Sequence, residues 1–216
     1  MSAPLQRACW FAALVYATPA AAAVVEVNII DQAGKPLEDA VMVLQPATGT
    51  RSRNKPQRAV IEQVDREFRP FVSVVQTGTT VALPNRDPLL HHVFSFSKAK
   101  TFEIKLYRGE APRDVLFDEP GVVALGCNIH DWMEGYVLVV DSPYHAKTGS
   151  QGNARVANLP AGEYRVWFWH PHQQKPPQQQ TLRVLQNDKR QLTTRFDIET
   201  RTRRVKPPLQ ADNYAG

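Results

Sequence analysis

Hydrophobic and polar positions alternate through most of the chain. Residues 24–30 (VVEVNII) set the pattern, and a period of two marks half-buried β-strands. The alternation predicts strands over 24–30 and 40–44, then over 71–76, 79–83, 93–96, 102–106, 115–117, 122–125 and 136–140. A last group follows over 154–157, 164–169, 180–185 and 192–198. Turn formers punctuate these runs, among them Gly34, Gly78, Asn85, Pro112 and the pair Pro120-Gly121. No segment sustains the 3.6-residue period of a helix. Many short strands at close spacing predict an all-β fold, a sandwich or Greek-key barrel. The chain has 216 residues, enough for one sizeable β domain or two small ones.

Composition adjusts this picture at the two ends. Residues 1–23 read as an export signal, with Arg7 as the positive region, an apolar stretch over 8–16 and small residues at 20–23 for cleavage. That apolar run is too short to span a bilayer, so the expected mature chain is periplasmic with no membrane span. Residues 46–58 read as a polar, basic linker and 171–180 as a proline-rich loop. Residues 201–216 read as a basic, disordered tail. The net charge is +5. It is scattered along the chain without an RNA or DNA motif, which argues against a nucleic-acid partner. Removal of the signal takes Cys9 with it and leaves Cys127 as a lone thiol in an oxidising compartment. A bound metal would protect it.

The segment Gly126-Cys127-Asn128-Ile129-His130-Asp131-Trp132-Met133 lies between two predicted strands. A short loop there turns a thiolate, an imidazole and a thioether toward one point. A fourth donor comes from His91 or His92, which close an upstream loop beginning at Asn85. Only one of the two can face the site, because neighbouring side chains on a strand point to opposite faces. Two histidines and a cysteine with a weak axial methionine make a blue-copper site. Zinc is the rival metal, and would draw its fourth ligand from a harder donor such as His92 or Asp131.

On these residues the chain resembles the cupredoxins. Phe68, Pro70, Val74, the run Gly78-Thr-Thr-Val81, Asn85 and His91 match the first half of that pattern. The second half is matched by Phe117 to Gly121, then Cys127, His130 and Met133. The close spacing of Cys, His and Met is similar to the amicyanin loop more than to that of plastocyanin. The chain also resembles a bacterial group labelled methylamine-utilisation proteins. The resemblance implies one type 1 copper ion held by His91, Cys127, His130 and Met133, with His92, Asn85 and Asn128 bracing the ligands from behind. The plastocyanin pattern has an aromatic residue before the cysteine. Gly126 stands there instead, which removes that ring as an electron route.

The flanks resemble a second family. Residues 25–44, with 148–152 and 158–164, are similar to a carboxypeptidase-regulatory-like β-sandwich. This implies a cupredoxin unit over 60–141 inserted into a discontinuous sandwich built from 24–46 and 143–200. Two accessory hairpins on one enlarged cupredoxin are the other arrangement. Trp167, Trp169, His170 and His172 then read as core and rim residues.

Two functions follow. The first is a non-enzymatic electron carrier between redox proteins such as a cytochrome and a dehydrogenase. Its electron would leave through His130. Leu89 and Trp132 would form the docking surface, and Leu90 and Ile129 would lie near it. The second is a non-redox binding module with a structural or stored copper or zinc ion.

Overall fold

The computed structural model describes residues 22–48, 57–175 and 179–198. The expected signal 1–23, except its last two residues, and the expected tail 201–216 lie outside them. So do residues 49–56 of the expected linker and 176–178 of the proline-rich loop.

The described residues form strands and no helix, so the all-β expectation holds. In chain order the strands are β1 (Ala23–Asp31), β2 (Val41–Pro46), β3 (Arg58–Val60), β4 (Glu62–Val64), β5 (Glu67–Arg69) and β6 (Val72–Gln76). Then come β7 (Thr79–Ala82), β8 (His91–Ser97), β9 (Lys100–Tyr107), β10 (Val115–Phe117), β11 (Gly121–Cys127) and β12 (Glu134–Val140). The last are β13 (His145–Lys147), β14 (Asn153–Leu159), β15 (Gly162–Trp169), β16 (Gln179–Val184) and β17 (Lys189–Phe196).

The strands sort into two groups with separate cores. The middle of the chain builds a five-stranded sheet in the order β6-β12-β11-β8-β9 and a smaller sheet β10-β7-β3. Between them lie Ile61, Phe68, Val81, Leu83, Val93, Phe117, Leu125, Val137 and other apolar side chains. The two ends of the chain build the sheets β14-β1-β17 and β13-β2-β15-β16. Their core holds Val25, Ile29, Met42, Leu44, Leu159, Tyr164, Val166 and Phe168. Alternation along β1 explains the split of side chains, because its odd positions 23, 25, 27 and 29 are buried and its even positions face outward.

A third cluster joins the two groups. Val41 and Val43 on β2 and Trp169 on β15 pack against Val72 on β6 and Leu138 and Val140 on β12. These residues occupy the outer face of the five-stranded sheet, opposite its own core. The sandwich therefore covers the β6-β12 side of that face.

Four strands fall outside the sequence pattern: β3, β4, β5 and β13. Each has three residues, too few to show a period. The β4–β5 hairpin turns on Asp65 and Arg66, both at positive φ (56° and 59°), as a tight two-residue turn requires. The last strand runs over 189–196 rather than 192–198. Its leading Lys189 and Arg190 pair in parallel with Val24 and Val25, because backbone pairing at a solvated edge needs no apolar side chain.

Candidate metal centre

Cys127 ends β11 and His91 opens β8. These strands are antiparallel neighbours, with Cys127 opposite Val93 and Gly126 opposite Phe94. The pairing brings the cysteine beside the histidine, although 36 positions separate them in sequence. His130 arrives from the turn between β11 and β12. Two backbone bonds fix that turn: Asn128 N–H donates to His92 C=O at 3.1 Å, and Met133 N–H to His130 C=O at 2.9 Å.

The three donors converge. Cys127 Sγ lies 3.7 Å from His91 Nδ1 and 3.7 Å from His130 Nδ1. The donor atoms all lie within 4.8 Å of one another. His91 is 0% exposed, and Cys127 and His130 are 6% exposed. Met133 is buried in the same core cluster as Cys127. Burial alone would push the Cys127 thiol up. Hydrogen bonds from the His130 and His91 rings and from the N–H groups of His92 and Ile129 outweigh it and bring the thiol down to about 5. The shift favours the thiolate, the form that binds metal.

Asp87 is the functional residue that the sequence reading missed. It is buried, and its Oδ2 lies 2.8 Å from His91 Nε2. The same carboxylate accepts the N–H groups of Asp65 at 2.7 Å and Arg66 at 2.8 Å. Successive N–H groups on a tight turn form a seat for an anion, so the β4–β5 hairpin holds Asp87 and Asp87 holds His91. Burial pushes the carboxyl up. The Arg66 N–H, the His91 ring and the Asp65 N–H together hold it below the usual carboxylate range. Burial lowers His91, and Cys127 and Asp87 raise it above its ordinary value. With its Nε2 proton held by Asp87, His91 has Nδ1 as the nitrogen that a metal would take, in place of the proton shared with Cys127 Sγ.

Asn85 braces the loop that carries His91. Its Nδ2 donates to Leu89 C=O and Tyr107 C=O, both at 2.8 Å, and its Oδ1 accepts Asp87 N–H at 2.9 Å. The side-chain roles expected of His92 and Asn128 do not occur. The His92 ring faces the other side of β8, with Nε2 2.9 Å from Glu103 Oε1, because strand alternation turns it away from His91. Asn128 is exposed. Both residues support the site through their backbones instead.

The four apolar residues around the site are part-buried. Ile129 packs onto the core. Trp132 lies over the His130 ring, with centroids 5.1 Å apart, and the Arg66 guanidinium stands 5.6 Å from the Trp132 ring. Its indole N–H is buried without a hydrogen-bond partner. Near the opposite end of the turn, His172 Nε2 lies 4.0 Å from Glu134 Oε1, so the flanking sandwich touches the residue after Met133. Trp169 is buried in the junction and Trp167 packs against it part-buried.

The donor set bears on the choice of metal. Among the described residues, His91, Cys127 and His130 are the group of His, Cys and acidic side chains placed to hold an ion. His92 points away and Asp131 is exposed, so the harder fourth ligands expected for zinc are not at the site. Two imidazoles, a thiolate and a nearby buried thioether suit copper in both oxidation states.

No family model matches the chain, and no curated protein matches it. Among solved structures it is similar to a Cu-containing nitrite reductase from Thermus scotoductus, with 24% identity over 44% of this chain and a TM-score of 0.37. It spans 25% of that reductase. A purple cupredoxin from Nitrosopumilus maritimus is similar over 39% of this chain and 99% of its own, at 24% identity and a TM-score of 0.34. A reduced amicyanin variant is similar over 46% of this chain and 98% of its own, at 18% identity and a TM-score of 0.36. Each of these likenesses covers less than half of this chain. The donors themselves, not these partial likenesses, carry the chemistry.

Proposed function

We propose that this chain is an exported, non-enzymatic electron carrier that holds one type 1 copper ion and exchanges single electrons with redox proteins in the periplasm. One observation carries the reading: a buried cysteine sulfur with an imidazole Nδ1 at 3.7 Å on each side. Copper so bound supplies reversible one-electron chemistry.

The residues around it have separate tasks. His91, Cys127 and His130 would be the strong ligands, and Met133 the weak axial one. Asp87 keeps the proton on His91 Nε2 and fixes the ring. The β11–β12 turn closes over the donors and excludes water. A set of donors locked by backbone bonds and packing rearranges little when charge changes, which favours fast exchange. The test is the visible spectrum of the oxidised, copper-loaded protein. An intense thiolate-to-copper charge-transfer band is expected. A colourless protein isolated with stoichiometric zinc would overturn the reading in favour of a structural or stored metal.

A further inference from the structure

Gly126, the residue before Cys127, has no side chain, yet the space above it is filled. A Cβ placed there would lie 2.8 Å from Phe94 Cζ and 3.2 Å from its Cε2. Phe94 is the cross-strand partner of Gly126, so its ring leans across β11 into the slot that a side chain at 126 would take. Only glycine permits this approach. From Phe94 the rings continue outward along β8. Phe94 and Phe96 have centroids 5.0 Å apart, within the range of favourable aromatic pairs. Phe96 is 79% exposed, the most exposed of the large hydrophobic residues in the described chain. Its outer face is the part of the five-stranded sheet that the sandwich leaves uncovered. His130, by contrast, is 6% exposed and lies against the Trp132 ring.

We propose that Phe94 and Phe96 form a second electron path, from the outer sheet face through the Phe94–Gly126 contact to Cys127. This rests on the electron-carrier function above. Tunnelling decays steeply across empty gaps and less steeply through packed, bonded matter. A ring in contact with the peptide unit before Cys127 removes such a gap. A ring beside the residue before Cys127 is thus supplied from the neighbouring strand. In the transfer step one electron leaves the thiolate-ligated site, which is oxidised, and enters an acceptor at the outer face, which is reduced. No bond breaks and no proton moves.

A ruthenium polypyridyl label supplies the acceptor. Thr101 is exposed and lies opposite Phe96. The label is attached there in a Thr101→Cys variant of the copper-loaded protein, and flash-quench generates its ruthenium(III) form. Phe94→Leu keeps the apolar bulk and removes the ring. It should lower the intramolecular rate severalfold without moving the reduction potential or the visible spectrum. Phe96→Leu, at a surface position, should lower the rate as well. The swap Phe94→Leu with Gly126→Phe, which returns a ring to the slot from the other strand, should restore it. Rates equal to the parent in both single variants, or a swap that restores nothing, would overturn the path. A readout without copper checks the contact. In the metal-free protein Gly126→Ala should lower the unfolding midpoint when Phe94 is present and leave it unmoved in the Phe94→Leu background. Equal losses in the two backgrounds would refute the packing on which the path depends. A parent that binds no redox-active copper would refute the carrier function instead, and the metal-free cycle separates that failure from this one.

Discussion

Replacing Asp87 with Asn alters charge and one acceptor while keeping the side-chain shape. In the structure the two carboxylate oxygens take three donors: Asp65 N–H at 2.7 Å on one, Arg66 N–H and His91 Nε2 at 2.8 Å on the other. An amide offers a single oxygen. If that oxygen keeps Arg66 and His91, the NH2 group confronts the Asp65 N–H, and a buried donor left unpaired costs about 1–3 kcal/mol. If the amide flips, the NH2 group confronts His91. The ring then retains no partner that holds its proton on Nε2, and the metal must compete with a proton for Nδ1. Loss of such an outer partner lowers metal affinity by roughly 10–100-fold, or about 1.4–2.8 kcal/mol. The assay is competition with a chromophoric chelator for Cu(I) and for Zn(II), with thermal unfolding of the metal-free protein measured in parallel. Both affinity and stability should fall. The pH dependence has a definite sign, because folding depresses the Asp87 carboxyl. Its contribution is present above the unfolded carboxyl range and is lost as pH falls through the folded value. An Asp87→Asn protein with parental affinity for both metals would refute the role assigned to this carboxylate.

Cys127→Ser should leave a folded β protein whose copper complex lacks the charge-transfer band, and a retained band in the absorption spectrum would place the thiolate elsewhere. His91→Ala should abolish the coloured site, whereas His92→Asn, which disturbs an outward contact with Glu103, should leave metal affinity intact in the chelator assay. His170 is depressed from 6.5 to about 4, chiefly by burial and next by the charge of His172. The unfolded chain therefore takes up a proton first, and His170 should remove up to about 3 kcal/mol of stability as pH falls from 6.5 toward 4. His170→Gln should flatten that part of the stability–pH curve in denaturant titrations.

The local parts of this site were legible in the sequence, and the assembled parts were not. Cys127, His130 and Met133 stand on one turn, so their spacing alone announces a shared point. Alternation established that His91 and His92 face apart, and the cupredoxin resemblance chose His91. The structure turns His91 inward at the head of β8. Asp87 escaped notice because its meaning lies in residues distant along the chain. Its donors come from a hairpin at 65 and 66 whose strands are three residues long, and from a ring four positions away. His92 and Asn128 serve the site through their backbones, not through the side chains that the resemblance singles out. A sequence motif records side chains, and backbone hydrogen bonds leave no residue-type signature. The long strands declared themselves by period two, which is a property of burial on one face. The start of β17 shows no apolar period because its first residues are polar on a solvated edge.

The division of the outer sheet face ties the two halves of the molecule together. A five-stranded sheet with one face on its own core must still manage the other. On β6 and β12 that face carries Val72, Leu138 and Val140, and the flanking sandwich buries them under Val41, Val43 and Trp169. Removal of apolar area from water stabilises the junction by about 25 cal/mol per Å², so the sandwich and the metal-bearing unit stabilise one another. The junction also reaches the site, since His172 of the sandwich approaches Glu134 beside Met133. On β8 the same face carries Phe94 and Phe96, and there the cover stops. An isolated exposed aromatic would need no account. This one continues a ring contact that ends at Gly126, one residue from Cys127. The ring contact that approaches Cys127 therefore lies on the half of the sheet that the sandwich leaves open.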